Sequence, residues 1–181
     1  MTKKELSLGI DIPQGVTVAK EGTYLTVKGP KGTLTRNFDN PAINVEVTGN
    51  EVKMSAKTSS KKSKSVIYSY EVHVKNAFHG VKEPFIYVLK VCSGHFPMNV
   101  SVANNVLSVK NFLGEKIPRQ LKLKQGVTVK TEGSQITVEG CDKEIAGQVA
   151  ADIEQATRRP GFDRRIFQDG IYIIEKAGKK I

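Results

Sequence analysis

Between positions 158 and 167 the chain reads Arg158-Arg159-Pro160-Gly161-Phe162-Asp163-Arg164-Arg165-Ile166-Phe167, four guanidinium groups and two phenyl rings in a short run. A guanidinium donates forked hydrogen bonds to phosphate oxygens, and its flat face stacks on an exposed base. Phenyl rings between such groups offer a platform for an unpaired base, as RNA-binding proteins use them. Phe162 suits either that role or ordinary packing, whereas Phe167, next to a strand-like run, reads more readily as core.

Two further basic sets carry less information. Lys57-Thr58-Ser59-Ser60-Lys61-Lys62-Ser63-Lys64 contains no acid, so Lys61, Lys62 and Lys64 are either point charges for phosphates or a solvated loop. In Lys28-Gly29-Pro30-Lys31-Gly32 the backbone is open beside Lys28 and Lys31. No helix opening with Lys-Ser/Thr follows, as a nucleotide-binding loop requires, so a tight hairpin is expected. Lys116, Arg119, Lys122 and Lys124 are spread along a strand-like stretch with Gln120 between them. There Lys122 and Lys124 share one face, turned either to RNA or to water.

The groups that reactions need are missing. No Ser or Cys sits in a Gly-flanked elbow. His73 and His79 fall in or near a helical stretch, His95 lies between the two halves, and none has an acid-base partner by spacing. Asp152 and Glu154 are two residues apart on a helix and point apart. Cys92 and Cys141 are far separated and in no ligand-like spacing, which argues against a zinc site or a disulfide framework. We therefore expect no enzyme activity, metal, cofactor or small-molecule substrate. Lys and Arg total 28 against 18 acids. Split at Cys92, the first part holds 14 bases and 8 acids and the second 14 and 10, so neither is a detachable basic tail. That balance favours a polyanion, nucleic acid before an anionic membrane. No apolar run approaches the ~20 residues of a bilayer span, and Met1-Thr2-Lys3-Lys4-Glu5 leads into no secretion signal, so the expected location is the cytosol.

The scaffold for these groups is legible as a repeat. Ile12-Pro13-Gln14-Gly15-Val16-Thr17-Val18 lies over Phe96-Pro97-Met98-Asn99-Val100-Ser101-Val102, Leu25-Thr26-Val27-Lys28 over Leu107-Ser108-Val109-Lys110, and Gly32 over Gly114. Val45 and Val47 match Val127 and Val129, and Val52 and Met54 match Ile136 and Val138. All these stretches alternate apolar and polar residues, as strands with one buried face do. A helix comes next in each copy, with stripes Val66, Tyr70, Val74, Ala77, Phe78 and Ile145, Val149, Ile153, Ala156. Asp142 is placed to cap the second helix, and Gly80 and Pro160-Gly161 to stop the two. A last strand closes each copy, Phe85 to Val91 and Ile171 to Ile174. The expected fold is α+β, a tandem duplication of a small unit of antiparallel strands plus one helix, with repeats at 1–92 and 93–181. The copies differ by about five residues before the first helix and about six after the second, within the lysine and arginine stretches.

Further landmarks point to a family. Ile12-Pro13-Gln14-Gly15-Val16, Val27-Lys28-Gly29-Pro30-Lys31-Gly32 and Gly80-Val81 come first, followed by His95-Phe96-Pro97, Asn111-Phe112-Leu113-Gly114-Glu115-Lys116 and Phe167-Gln168-Asp169-Gly170-Ile171-Tyr172. Over nearly the whole chain this resembles ribosomal protein number six of the large subunit, in its archaeal and eukaryotic branch. The resemblance implies a tandem duplication and a structural, non-enzymatic role in the cytoplasmic ribosome. By similarity the second copy binds large-subunit rRNA near the stalk base and the region where translational GTPases dock, beside neighbouring ribosomal proteins. It also implies that the arginine loop (Arg158, Arg159, Phe162, Arg164, Arg165) and Lys176, Lys179 and Lys180 face rRNA. Arg158-Arg159-Pro160-Gly161 and Asn76-Ala77-Phe78-His79 depart from what relatives often show. Two other readings are an RNA chaperone without a fixed address, which would bind unrelated structured RNA alike, and a phosphoesterase, which would show metal-dependent turnover.

Overall fold

Val, Ile and Leu at alternate positions give most strands one apolar face, and each unit packs such faces against the apolar stripe of its helix. The computed structural model describes residues 6–94, 96–163 and 165–181; Met1 to Glu5, His95 and Arg164, all named among the sequence expectations, lie outside the described residues. The chain divides into two compact units, one ending at Pro84 and the other beginning at Phe85.

The first unit runs β1 (Leu6–Asp11), β2 (Thr17–Glu21), β3 (Tyr24–Gly29), β4 (Gly32–Asn37), β5 (Ile43–Thr48), β6 (Glu51–Ala56) and α1 (Lys61–Lys82). Its strands form two antiparallel three-stranded sheets, β1-β6-β5 and β2-β3-β4. Helix α1 packs on β1 and β6 of one sheet and on β3 and β4 of the other. Leu25, Val27, Val52, Met54, Ile67, Val74 and Val81 fill the space between. Lys28 to Gly32 is a hairpin turn with Gly29 opposite Gly32. Its place is fixed by α1: the Lys31 amide donates to the Val81 carbonyl at 3.0 Å. A Cβ on Gly29 would lie 2.7 Å from a Val81 methyl.

The second unit runs β7 (Phe85–Cys92), β8 (Asn99–Ala103), β9 (Val106–Lys110), a short 3-10 turn (Phe112–Gly114), β10 (Arg119–Lys122), β11 (Val127–Glu132), β12 (Gln135–Gly140), α2 (Lys143–Ala156), β13 (Gly170–Lys176) and β14 (Lys179–Lys180). Its sheets are β10-β9-β8 and β11-β12-β7-β13-β14, all antiparallel neighbours. Leu89, Leu107, Ile136, Val138, Ile153 and Ile171 are buried between them and α2. Asn104 and Asn105, with φ of 51° and 61°, make the turn from β8 to β9. Asn tolerates this left-handed backbone, which the tightest hairpins require. The duplicated α+β architecture is therefore present as expected.

Register corrects how the repeat is cut. In the first unit Ile10 of β1 stands opposite Val52, and in the second Leu89 of β7 stands opposite Ile136. Val52 and Ile136 are equivalent in the repeat, so β7 is the second copy of β1. The strand expected to close the first unit instead opens the second, and the boundary falls at Pro84/Phe85 rather than after Cys92. Period-two patterning identifies a strand but not its partner, and β7 comes after a helix just as β13 does. The helices differ too. Ser60 caps α1 by accepting from the Ser63 amide at 3.1 Å, so Lys61, Lys62 and Lys64 stand in the first helical turn. At the offset of 79, α1 begins three residues earlier than α2 and ends five later, 22 residues against 14, so three of the five extra residues join the helix and two lengthen its connection from β6. Gly80 lies buried inside α1, which stops at Glu83 before Pro84, because a residue preceding proline disfavours helical backbone. Asp142 caps α2 as expected, accepting from the Glu144 amide at 2.8 Å, and α2 ends at Ala156, ahead of Pro160.

The approach of Gly29 to Val81 yields a test. Gly29→Ala should lower stability by about 1–3 kcal/mol, because the added methyl overpacks a site bounded by backbone as well as side chain. Urea unfolding should show a lower midpoint; an unchanged midpoint would mean that the hairpin gives way freely.

Candidate nucleic-acid interface

The stretch between α2 and β13 is pinned at both ends before any arginine is placed. At its start the Arg119 guanidinium reaches across from β10. Its Nη1 donates to the carbonyls of Ala156 at 2.8 Å and Arg158 at 3.3 Å. Nε and Nη2 of the same group hold both oxygens of Glu115, at 2.8 and 2.6 Å, and its plane lies 4.4 Å over the Phe112 ring. At the far end the Ile171 amide donates to the Thr157 hydroxyl at 2.9 Å, and that hydroxyl donates to the Glu154 carbonyl at 3.2 Å. The Ile173 amide donates to Oε1 of Glu154 at 3.2 Å. Buried Asp169 accepts from the Gly94 amide.

Within that frame the expected residues fall into place unevenly. Arg159 bonds Oε1 of Glu115 at 3.1 Å, and its guanidinium stacks 4.6 Å over the Phe162 ring. Phe162 is 40% exposed and meets half-buried Phe167 edge-on at 5.0 Å. The ring that suited either role thus stands at the rim, and the one read as core packs partly inward. Arg165 folds back on Asp163: Nη2 donates to Oδ2 at 2.8 Å, and the Arg165 amide donates to Oδ1 at 2.9 Å. Its guanidinium still faces solvent almost entirely. The Arg158 side chain is exposed and makes no side-chain hydrogen bond among the described residues. Arg158, Arg159 and Phe162 line one cleft of about 250 Å³ with Phe112, Thr157 and Tyr172. The tail lysines are gathered separately: Ala177 and Gly178 turn the chain, Lys176 stands opposite Lys179, and Lys180 comes next, all exposed. Like charges opposed on paired strands repel, so that hairpin suits a polyanion.

Two basic groups of the strand-like stretch do other work. Lys124 lies beyond the end of β10, 3.8 Å from Asp152. Arg119 is not presented to a ligand at all; it is the staple of the loop. Sequence alone concealed this, because its partners lie four, 37 and 39 positions away. The signal available was Glu115, a lone acid among Lys116, Arg119 and Lys122. The same clustering holds the Glu115 carboxyl below the ordinary glutamate range. The hydrogen bonds from Arg119 act most strongly, and the charges of Arg119 and Arg159 add to them, against partial burial. The Asp163 carboxyl is likewise lowered, by its bonds from Arg165.

Among the described residues no group of three or more His, Cys, Asp or Glu side chains is arranged to hold a metal. No helix among them is long and apolar enough to cross a membrane. Fold and surface together define a duplicated α+β scaffold with a basic surface, its second unit carrying an arginine-rich stretch between α2 and β13. The chain matches the family model "Ribosomal protein L6" over residues 12–84 and 96–170. It is similar to the large ribosomal subunit protein uL6 of Methanosarcina mazei, 45% identical over 96% of this chain and 99% of the relative. The uL6 proteins of Methanococcus vannielii and Methanospirillum hungatei are 43% and 40% identical, covering 94% and 93% of this chain and 93% and 96% of the relatives. The chain belongs to the ribosomal protein L6 family, a structural and non-enzymatic one.

The lowered Glu115 carboxyl gives a pH test. A folded-state value below the unfolded one, about 4.5, means that the pair stabilises the fold above that pH. The contribution is then lost as pH falls through the lower folded value. Glu115→Gln should cost about 1 kcal/mol at neutral pH, since the pair is partly solvent-screened. Urea midpoints of the two proteins should converge as the solution is acidified, and a gap independent of pH would refute the pairing.

Proposed function

We propose that this chain is a structural constituent of the large ribosomal subunit, and so of the cytoplasmic ribosome, that clamps folded large-subunit rRNA through its second unit. The family and the names of its relatives support the subunit. The observation that carries the clamp is the arginine loop itself, stapled by Arg119 at one end and by Thr157 at the other. A loop held this way presents Arg158 and Arg159 without having to order them on binding, which preserves affinity. Arg158, Arg159, Arg164 and Arg165 grip phosphates in this reading, and Phe162, already backed by Arg159, offers its edge or face to an unpaired base. Lys176, Lys179 and Lys180 extend the same grip. Lys61, Lys62 and Lys64, at the start of α1, and Lys28 and Lys31, beside the Gly29 hairpin, are secondary phosphate contacts. The addresses implied by resemblance, the stalk base and the factor-binding region, belong to this proposal, with neighbouring ribosomal proteins and translational GTPases as its other partners.

Charge reversal tests it. Arg158→Glu disturbs no described side-chain bond and should weaken binding to large-subunit rRNA about ten-fold, as loss of a charged hydrogen bond does. It should also flatten the salt dependence by somewhat under one unit of slope for each lost phosphate contact. Replacing Arg158, Arg159, Arg164 and Arg165 together by Glu should abolish cosedimentation with the large subunit while circular dichroism still reports a folded chain. Wild-type occupancy of the quadruple variant sinks the assignment, and equal competition by unrelated structured RNA favours a chaperone instead.

A further inference from the structure

The two units treat equivalent strands differently. Each strand pairs on one side with its hairpin, β1 with β6 and β7 with β12. On its other side β7 carries β13, whereas among the described residues β1 is an edge strand. The outward-pointing amides can be assigned from register. Ile12 donates to the Asn50 carbonyl, and Val91 donates to that of Ser134, both towards the hairpin. Amides along an antiparallel strand alternate in direction, so Ile86, Val88 and Lys90 of β7 face β13. By the same alternation Ser7, Gly9 and Asp11 of β1 face outward.

The flank beside this edge differs as well. An offset of 79 lays Ile67 on Ala146 and Val74 on Ile153, all fully buried. Glu71 and Lys75 then fall on Ala150 and Glu154. In the second unit Ala150 is fully buried and Glu154 accepts from β13. Tyr68 falls on Gly147, whose Cβ would lie 3.0 Å from the Tyr87 hydroxyl, directly over β7. In the first unit Tyr68 and Val72, one turn apart, are 50% and 54% exposed. Leu6 and Leu8 of β1 are half-buried where their counterparts Phe85 and Tyr87 are buried. An open row of backbone groups bordered by exposed apolar side chains is a template for strand pairing.

We propose that the outer edge of β1, flanked by Tyr68 and Val72, is a strand-addition site for an extended segment of a neighbouring protein in the subunit, laid antiparallel as β13 lies on β7. The occupant is a polypeptide because only an extended backbone matches successive outward amides. Its chemistry is set by analogy with β13, where Ile171 is buried and Ile173 packs against the core: apolar residues on the helix-facing side and polar ones outside. RNA is disfavoured at this place, since Lys53 pairs with Glu51 at 3.5 Å and Lys75 with Glu71 at 2.6 Å, with exposed Asp11 adding an acid.

The test uses whole large subunits with the arginine loop left native, so its failure bears on β1 alone and not on RNA binding. A photoreactive benzoylphenylalanine replacing Tyr68 should crosslink to one segment of one neighbouring protein. Asp11→Pro removes an outward amide without touching the β6 pairing and should lower that yield about ten-fold, while Asp11→Ala, which keeps the amide, should not. If Asp11→Pro fails to assemble, Val72→Glu, with β1 intact, should produce the same loss. Adducts only to rRNA, adducts to a second copy of this chain, no adduct, or a yield unmoved by Asp11→Pro and Val72→Glu would each overturn the proposal.

Discussion

One guanidinium fixes what the second unit can present. Arg119 is a base in a basic protein, yet none of its bonds goes outward: two go to Glu115, two to loop carbonyls, and its face covers Phe112. One of the carbonyls it takes, that of Ala156, is the last of α2, where the final helical oxygens have no partner within the helix. A cation at that end also satisfies the helix dipole. The arginines beyond it therefore emerge from an end that is already bonded. Without Arg119 the same four charges would sit on a chain free to spread away from one another.

The sheet imposes the second constraint. An antiparallel strand has two rows of backbone groups, and burial tolerates neither row unpaired. The second unit satisfies both rows of β7, with β12 and β13, and thereby ties the loop between α2 and β13 to its core. The first unit satisfies one row of β1 and places most of its additional residues in α1 instead. Duplication thus supplied two copies of one core, two three-stranded sheets packed with a helix. Divergence lay in and beyond the helix: a basic loop and a returning strand in one copy, a longer helix in the other.

Much of this was legible in the amino-acid sequence because it is local. The strands, the two helices, the Asp142 cap, the Gly29 hairpin and the duplication are all dictated by periodicity and turn chemistry within a few residues. Strand partnership is not local, and that is why alternation alone puts Phe85 to Val91 in the wrong unit: the pattern is the same whichever neighbour a strand takes. The division of labour among the basic residues was hidden for a related reason. Arg119, Arg158 and Lys124 look alike as letters, and only contacts from distant positions decide which is a staple, which is open, and which is paired with Asp152. The lysine stretch misleads because Ser60 is a strong helix cap, and a cap outweighs the polar composition around it.

The acids near the arginine loop need a reason, since they weaken a field that should attract phosphate. Four adjacent guanidinium groups repel one another, and a chain held only at its ends would relax by splaying them. Glu115 and Asp163 counter that with little loss of attraction. Glu115 already gives both oxygens to Arg119, so Arg159 shares one of them and its hydrogen bond is the weaker claim on that oxygen. Asp163 holds Arg165 in full solvent, where screening leaves such a pair small. In the proposed clamp, a polyphosphate meeting several arginines at once would outweigh either contact, because its charge is dense and each new bond releases a counterion. The acids therefore set the arrangement of the free loop without deciding its affinity, and Arg158, whose side chain makes no hydrogen bond among the described residues, stands beside the cleft.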